Sequence, residues 1–282
     1  MSALEYAKND WYAVSISDDS KTGKVIETML LGTPIEIHKL SSGIKVTGTD
    51  GTEYPHQIAY DHIWTTLGDK PRPLFEIIED NDSARRRVPC GVVRVKCSAL
   101  RAVENFLDIG HFPYVHTDIL GVEPHTEVFP YQVAIIPEKD EIIAKNIEFY
   151  QPQAAKSAST GTQTEYIYRV PAPTTAILYK TCPNTADAMD VITIFVQPIA
   201  EDVCDVWPWM ALYDDESSFA DLVQFQQMIF LQDRLILENQ VPSLLPLDRG
   251  SEIPTRADLT SMTYRRWLRD KGAFYGAQSE LK

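Results

Sequence analysis

From Thr126 to Asp214 the chain is a succession of short apolar stretches broken by turn residues, and one long helical stretch follows it. The stretches at 131–136, 141–149, 165–170, 175–180 and 190–198 are rich in β-branched and aromatic residues and short for helices. They read as strands of a meandering antiparallel sheet. Ser217 or Ser218 can then cap a helix from about Phe219 to Asn239, and a shorter helix is expected over roughly Ala257 to Lys271. Helices flanking one antiparallel sheet make an α+β domain, with a pocket between the long helix and the sheet face.

Upstream, the residues from Trp11 to about Gly68 alternate over short runs and predict a small β module, with a turn at Ser41-Ser42-Gly43. Asp69-Lys70-Pro71-Arg72-Pro73 follows as a linker, since two prolines in three residues discourage both helix and central strand. The expected division is therefore a β module over residues 1–73 and a larger domain over 74–282. At its start the larger domain has a strand over 90–97, and Ser98 can cap a helix beginning at Ala99.

A formal net charge of −14 repels phosphate backbones and anionic lipid, and no Lys/Arg cluster makes a local exception, so nucleic acid and membrane partners are not expected. The first residues lack a basic segment followed by an apolar run, and no later stretch has the length of a membrane span; a cytoplasmic location is expected. Cys90, Cys97, Cys182 and Cys204 lie far apart without a zinc-type pairing, which predicts reduced packing residues.

The segment carrying chemistry is 104–116. Asn105, Asp108 and His111 are spaced three apart and would share one face of a helix. His116 would lie roughly 140° from that face on a regular helix, so the chain must bend for the two imidazoles to converge. Pro113 is the expected cause, helped by Gly110. Two imidazoles suit iron, copper, nickel or zinc, and with one carboxylate they suit non-haem iron(II) with open positions. Asp233 is the expected carboxylate, because it falls in an apolar stripe between Ile229 and Ile236, where an unpartnered charge is costly. The bland readings are a helix-end role for Asp108, a surface role for Asn105, and pairing of Asp233 with Arg234 or with an arginine of the last helix. Glu201, Asp202 and Asp205 are the fallback carboxylates.

Asn105, Asp108, His111 and His116, in this order and spacing, resemble the iron site of the Rieske non-haem iron oxygenase α subunits. The later run Asp233, Arg234, Glu238 and Gln240 resembles that family's third-ligand helix. Residues 9–14, 32–37 and 62–69 further resemble its vanillate O-demethylase-like branch. The resemblance implies a helix-grip-like catalytic domain, with His111, His116 and Asp233 holding mononuclear Fe(2+). Asp108 would be the electron bridge and Asn105 a catalytic neighbour of the iron. The departure lies between Ser42 and Tyr54, where the family carries the two Cys/His pairs of a [2Fe–2S] cluster and this chain has neither residue type.

The first module is thus expected to be a remnant of a Rieske domain, without its cluster. The resemblance extends to methylxanthine N-demethylating systems. It implies oxidation of 7-methylxanthine to xanthine and formaldehyde, with NAD(P)H, flavin and [2Fe–2S] supplied by a separate Rieske-containing reductase. It also implies a glutathione-transferase-like structural partner and a homotrimer or hetero-oligomer. Arg234 and Glu238 are the expected substrate contacts. The alternatives are an O-demethylase or hydroxylase of a substituted aromatic acid, and a non-catalytic scaffold subunit.

Overall fold

Strand alternation shapes the first part of the chain in the computed structural model, which describes residues 2–18, 23–158, 160–248 and 250–278. After helix α1 (Ala3–Lys8) come strands β1 (Tyr12–Ile16), β2 (Val25–Leu30), β3 (Thr33–Leu40), β4 (Gly43–Gly48), β5 (Glu53–Tyr54), β6 (His56–Ala59) and β7 (His62–Thr65). β2 to β5 pair in sequence as an antiparallel meander, while β1, β7 and β6 form a second sheet. Leu30, Ile35, Ile37 and Val46 of the first meet Ile63 of the second in one buried cluster. Residues 69–73 form no helix or strand, consistent with their two prolines.

Strands β8 (Arg86–Pro89) and β9 (Val93–Val95) come next, so the strand expected over 90–97 is shorter than that range. Its apparent continuity is broken at Gly91, whose φ of +80° turns the chain between two strands that pair with the same partner. Helix α2 (Ala99–Leu107) begins at Ser98, whose Oγ accepts from the Arg101 N–H at 3.2 Å. The one-turn helix α3 (Phe112–Val115) follows.

The expected meander is present. β10 (Gln132–Ile136), β11 (Glu141–Gln151), β12 (Thr162–Ala172), β13 (Thr175–Thr181), β14 (Met189–Ala200) and β15 (Val203–Leu212) each pair antiparallel with the next, and β15 also pairs with β8 and β9. Helix α4 (Phe219–Leu237) starts at Ser218, the second of the two expected caps. After β16 (Leu245–Pro246) and a capping-box turn at Thr255–Asp258, α5 (Leu259–Lys271) ends at left-handed Gly272, and β17 (Ala277–Gln278) pairs with β16.

Both faces of β14 and β15 are buried, which is why 191–197 reads as a nearly unbroken apolar run. One face sets Val191, Phe195, Trp207 and Trp209 against Ala13, Tyr60 and Trp64 of the β module. The other joins Ile194, Val196 and Val206 to Val103 of α2 and Trp267 and Leu268 of α5. Each such large side chain contributes roughly 1.5–3 kcal/mol on leaving water, so the sheet is fixed from both sides. The four cysteines are free and buried. Among the described residues no helix is long and apolar enough to cross a membrane.

Candidate metal centre

The convergence of the two histidines begins with the end of α2. Asp108 caps that helix with extended backbone, φ −81° and ψ 123°. Its Oδ1 accepts from the Gly110 N–H at 2.8 Å, which turns the chain before His111. The break thus falls at Asp108–Gly110 and not at Pro113, correcting the expectation from sequence. Pro113 lies in the first turn of α3, where a missing N–H leaves no bond unmade. His111 and His116 flank that single turn, and the His116 N–H donates to the Phe112 carbonyl at 3.0 Å. Gly121 packs so close that a Cβ there would lie 2.8 Å from Pro113 N, which holds the turn from outside.

His111 Nε2, His116 Nε2 and Asp233 Oδ1 form a triangle with edges of 3.2, 3.0 and 3.2 Å. The other ring nitrogens are occupied: His111 Nδ1 lies 3.0 Å from Asp108 Oδ2, and His116 Nδ1 lies 2.8 Å from Gln232 Oε1. Hydrogens on both Nδ1 atoms satisfy those oxygens and leave the two Nε2 lone pairs facing the carboxylate.

This donor set fits a cation better than it fits protons. Burial pushes the His111 imidazole down, but its hydrogen bonds to Asp108 and Asp233 reverse that and raise it to about 9. Burial likewise pushes Asp233 up, yet the two histidines hold its carboxyl below the ordinary value. A proton on His111 Nε2 can lie along one edge of the triangle only. A metal ion would satisfy all three corners, and two imidazoles with a carboxylate are the ligand chemistry of non-haem iron(II).

The triangle opens on a cavity of about 920 Å³, counting its mouth, lined among others by Asn105, Phe112, Tyr166, Tyr168, Phe230 and Asp233. It lies where expected, between α4 and the sheet. The face of α4 turned to it carries Leu222, Gln226, Ile229, Phe230 and Asp233, whereas Ile236 is 48% exposed and lies outside the apolar stripe assigned to it from sequence.

Arg234 and Glu238 are not brought to the cavity. Arg234 Nε donates to Glu238 Oε1 at 3.1 Å, and Glu238 also accepts from the Lys96 N–H. On a helix these residues lie about 100° and 140° around from Asp233, so substrate contact through them is withdrawn. Asp205 is taken up by Arg94, with bonds of 2.8 and 2.7 Å. Gln232 was missed in the sequence reading, although its place beside Asp233 could have suggested a partner for a histidine.

The larger part of the chain, residues 95–273, matches the family model described as vanillate O-demethylase oxygenase C-terminal domain. A protein of Pseudomonas sp. (strain TJI-51) named as probable methylxanthine N7-demethylase NdmC is 43% identical over 270 residues, covering 95% of each chain. Among solved structures, NdmA of Pseudomonas putida CBB5 with caffeine superposes with a TM-score of 0.78 at 15% identity, covering 99% of this chain and 98% of that one. Dicamba monooxygenase bound to 3,6-dichlorosalicylic acid gives 0.77 at 15% identity, covering 96% and 99%.

Proposed function

The chain belongs to the vanillate O-demethylase-like family of oxygenases, a demethylase-type oxidoreductase family, and on that premise we propose that it removes the N7-methyl group of 7-methylxanthine oxidatively. In this reading His111, His116 and Asp233 hold iron(II), and the observation that carries it is their three-cornered arrangement with edges of 3.0–3.2 Å. The bound iron would supply oxygen activation beside the substrate methyl group. The balance is one methylxanthine, one O2, two electrons and two protons giving N-hydroxymethylxanthine and water. The N-hydroxymethyl group then loses formaldehyde and leaves xanthine.

The chain's own residues have four tasks in this scheme. Asp108 and Gln232 fix the two imidazoles through their Nδ1 hydrogens, so each Nε2 faces the metal position. Phe112, Phe230 and Tyr168 wall the cavity against water and give a flat ring apolar faces. Asn105 lines the same cavity as a polar neighbour of the iron. Asp108 is 30% exposed at its side chain and leads from His111 to the surface, which supports a role as the entry point for electrons.

Because residues 42–54 contain neither Cys nor His, the electrons come from a separate Rieske-containing reductase that draws on NAD(P)H. The surface recess over Asp108 and His111 supports docking there. It is lined mostly by polar and charged residues, among them Glu104, Glu252 and Arg265, with Ile236, Ile253 and Met262 between them, and Ile253 is 94% exposed. A glutathione-transferase-like structural partner and a trimeric or hetero-oligomeric assembly belong to the same reading, as does the division into a 1–73 module and a 74–282 catalytic domain.

The test is iron and acid-labile sulfide per chain in anaerobically handled protein, followed by turnover of 7-methylxanthine and vanillate with such a reductase. One iron without sulfide, and formaldehyde released from 7-methylxanthine only, is the expected result. Formaldehyde from vanillate alone would move the chain to the aromatic-acid reading. Absence of bound or reconstitutable iron would leave a scaffold subunit.

A further inference from the structure

The floor of the cavity is two adjacent rows of side chains across the sheet. Antiparallel register sets Tyr168, Leu178, Ile192 and Met210 opposite one another in one row, and Tyr166, Lys180 and Asp190 in the next. The first row is apolar apart from one phenol. The second places a lysine and an aspartate, 5% and 4% exposed, at positions where alternation calls for apolar residues facing the core.

Lys180 Nζ donates to Gln151 Oε1 at 3.4 Å and to the Ala154 carbonyl, while Asp190 accepts from the Tyr213 N–H at 3.0 Å. Burial pulls the Lys180 ammonium down to about 8 and pushes the Asp190 carboxyl up, so both charged forms are held at a cost. Buried charges facing an apolar cavity at a cost are the signature of a binding site more than of a stabilising pair.

Gln226 is the second observation. It is 6% exposed and lines the same cavity, and its amide makes no hydrogen bond among the described residues. It lies seven residues before Asp233 and hence on the same face of α4, two turns or about 10 Å along the axis. Leu222, one turn beyond, packs on Ile192, Met210 and Leu212, so this end of the helix sits over the β14–β15 side of the floor. Two helical turns is about the length a bicyclic ring needs if its far edge is read there and its methyl group lies by the triangle.

We infer that Gln226, Lys180 and Asp190 read the –C(=O)–NH– edge of a flat heterocycle, in a cavity otherwise walled by apolar groups. The inference rests on the methylxanthine reading above and adds what distinguishes one methylxanthine from another. Gln226 offers a carbonyl and an NH2 group, Asp190 accepts an N–H, and Lys180 donates to a carbonyl. A ring whose imide nitrogens carry hydrogen satisfies the set. A ring methylated at those nitrogens leaves the acceptors desolvated and unpaired, which weakens binding by one to several orders of magnitude.

Binding of 7-methylxanthine and of caffeine to the iron-loaded protein, measured by calorimetry without oxygen or reductase, tests this independently of turnover. The protein is expected to prefer 7-methylxanthine at least tenfold. Gln226→Leu should reduce that preference about tenfold, by weakening 7-methylxanthine binding and relieving caffeine of an unpaired amide, with iron content unchanged, and Asp190→Asn should act in the same direction. Equal affinity of the unaltered protein for both ligands would overturn the inference. So would a preference that both variants retain, with the methylxanthine reading intact. If the unaltered protein bound neither purine but bound vanillate, the methylxanthine reading would fail and take this one with it.

Discussion

His62 in the β module and His116 beside α4 are buried alike, at 0% and 1% exposed, and their surroundings differ in one respect. The His62 Nδ1 lies 2.5 Å from the Tyr60 carbonyl, and its Nε2 meets no hydrogen-bond partner among the described residues, packed among Phe195 and Trp207. The His116 Nδ1 is likewise occupied, by Gln232, but its Nε2 points at His111 and Asp233. One imidazole is a neutral packing element and the other is part of a set of lone pairs. What separates a filler from a ligand is therefore the company of the second nitrogen, and burial alone does not decide it.

The same contrast holds between the two regions as wholes. The module keeps its sheets through Leu30, Ile35, Ile37, Val46 and Ile63, an apolar core that needs no metal. Its β4–β5 connection is a tight turn in which Asp50 Oδ1 accepts from the Thr52 N–H at 3.0 Å, in the segment where the wider family carries cluster ligands. Such a fold survives without a cluster. The triangle of His111, His116 and Asp233 also packs on the apolar core, through Phe112, but the aim of its ring nitrogens is set by polar groups, Asp108 and Gln232.

The largest effect should follow from removing a corner of that triangle. Asp233→Ala takes away the carboxylate and leaves two imidazoles facing one another, so iron per chain should fall by an order of magnitude or more in an atomic-absorption assay. Melting temperature should change little, since no apolar core depends on that side chain. Iron retained at one per chain would mean that the carboxylate lies elsewhere.

Asp108→Ala should spare the metal and impair its supply of electrons. Iron content should stay near that of the unaltered protein, while steady-state turnover with the reductase falls about 10–100-fold. A single turnover of chemically reduced protein should keep most of its yield. Equal loss in both assays would make Asp108 a positioning residue for His111 and remove the electron-bridge reading.

Ile37→Ala probes the other region. Ile37 is 0% exposed, so the variant should lose about 3 kcal/mol in urea unfolding through lost transfer energy and a residual cavity. Iron binding at a temperature where the variant is folded should be unchanged. Iron loss in the folded variant would show the module to be a support for the metal site, and the two regions to be one cooperative unit.

Which of these features could be read from sequence follows the same division. Ser98 and Ser218 were legible as caps because a capping serine acts on an N–H three residues away, and the β10–β15 meander because alternation is local. The bend was misplaced onto Pro113 because proline is read by rule as a breaker, whereas here it opens a turn and Asp108 ends the helix. β4, β5 and β6 are not separately legible, since each is short or weakly apolar and acquires its pairing from neighbours. Lys180, Asp190 and Gln226 left only a faint signal, a polar residue at an inward position, and that becomes visible once the inward face is known.

The smallest effect concerns His62 and appears only on acidification. Burial depresses its pKa to about 4 from an unfolded value of 6.5, so between these pH values the unfolded chain binds a proton that the folded chain does not. The stability associated with its neutral form is therefore complete above pH 6.5 and is lost as pH falls through the window, to a total of about 3 kcal/mol. Asp10, which burial raises to about 6, has the opposite slope over part of the window. Its contribution is common to both proteins and cancels when His62→Phe is compared with the unaltered chain. Urea unfolding from pH 7 to pH 4 should show the variant losing less stability than the parent, by up to that amount. Parallel curves would mean that His62 becomes charged in the folded state, which its aromatic surroundings and unpartnered Nε2 could accommodate only by opening the contact between the module and the β14–β15 face.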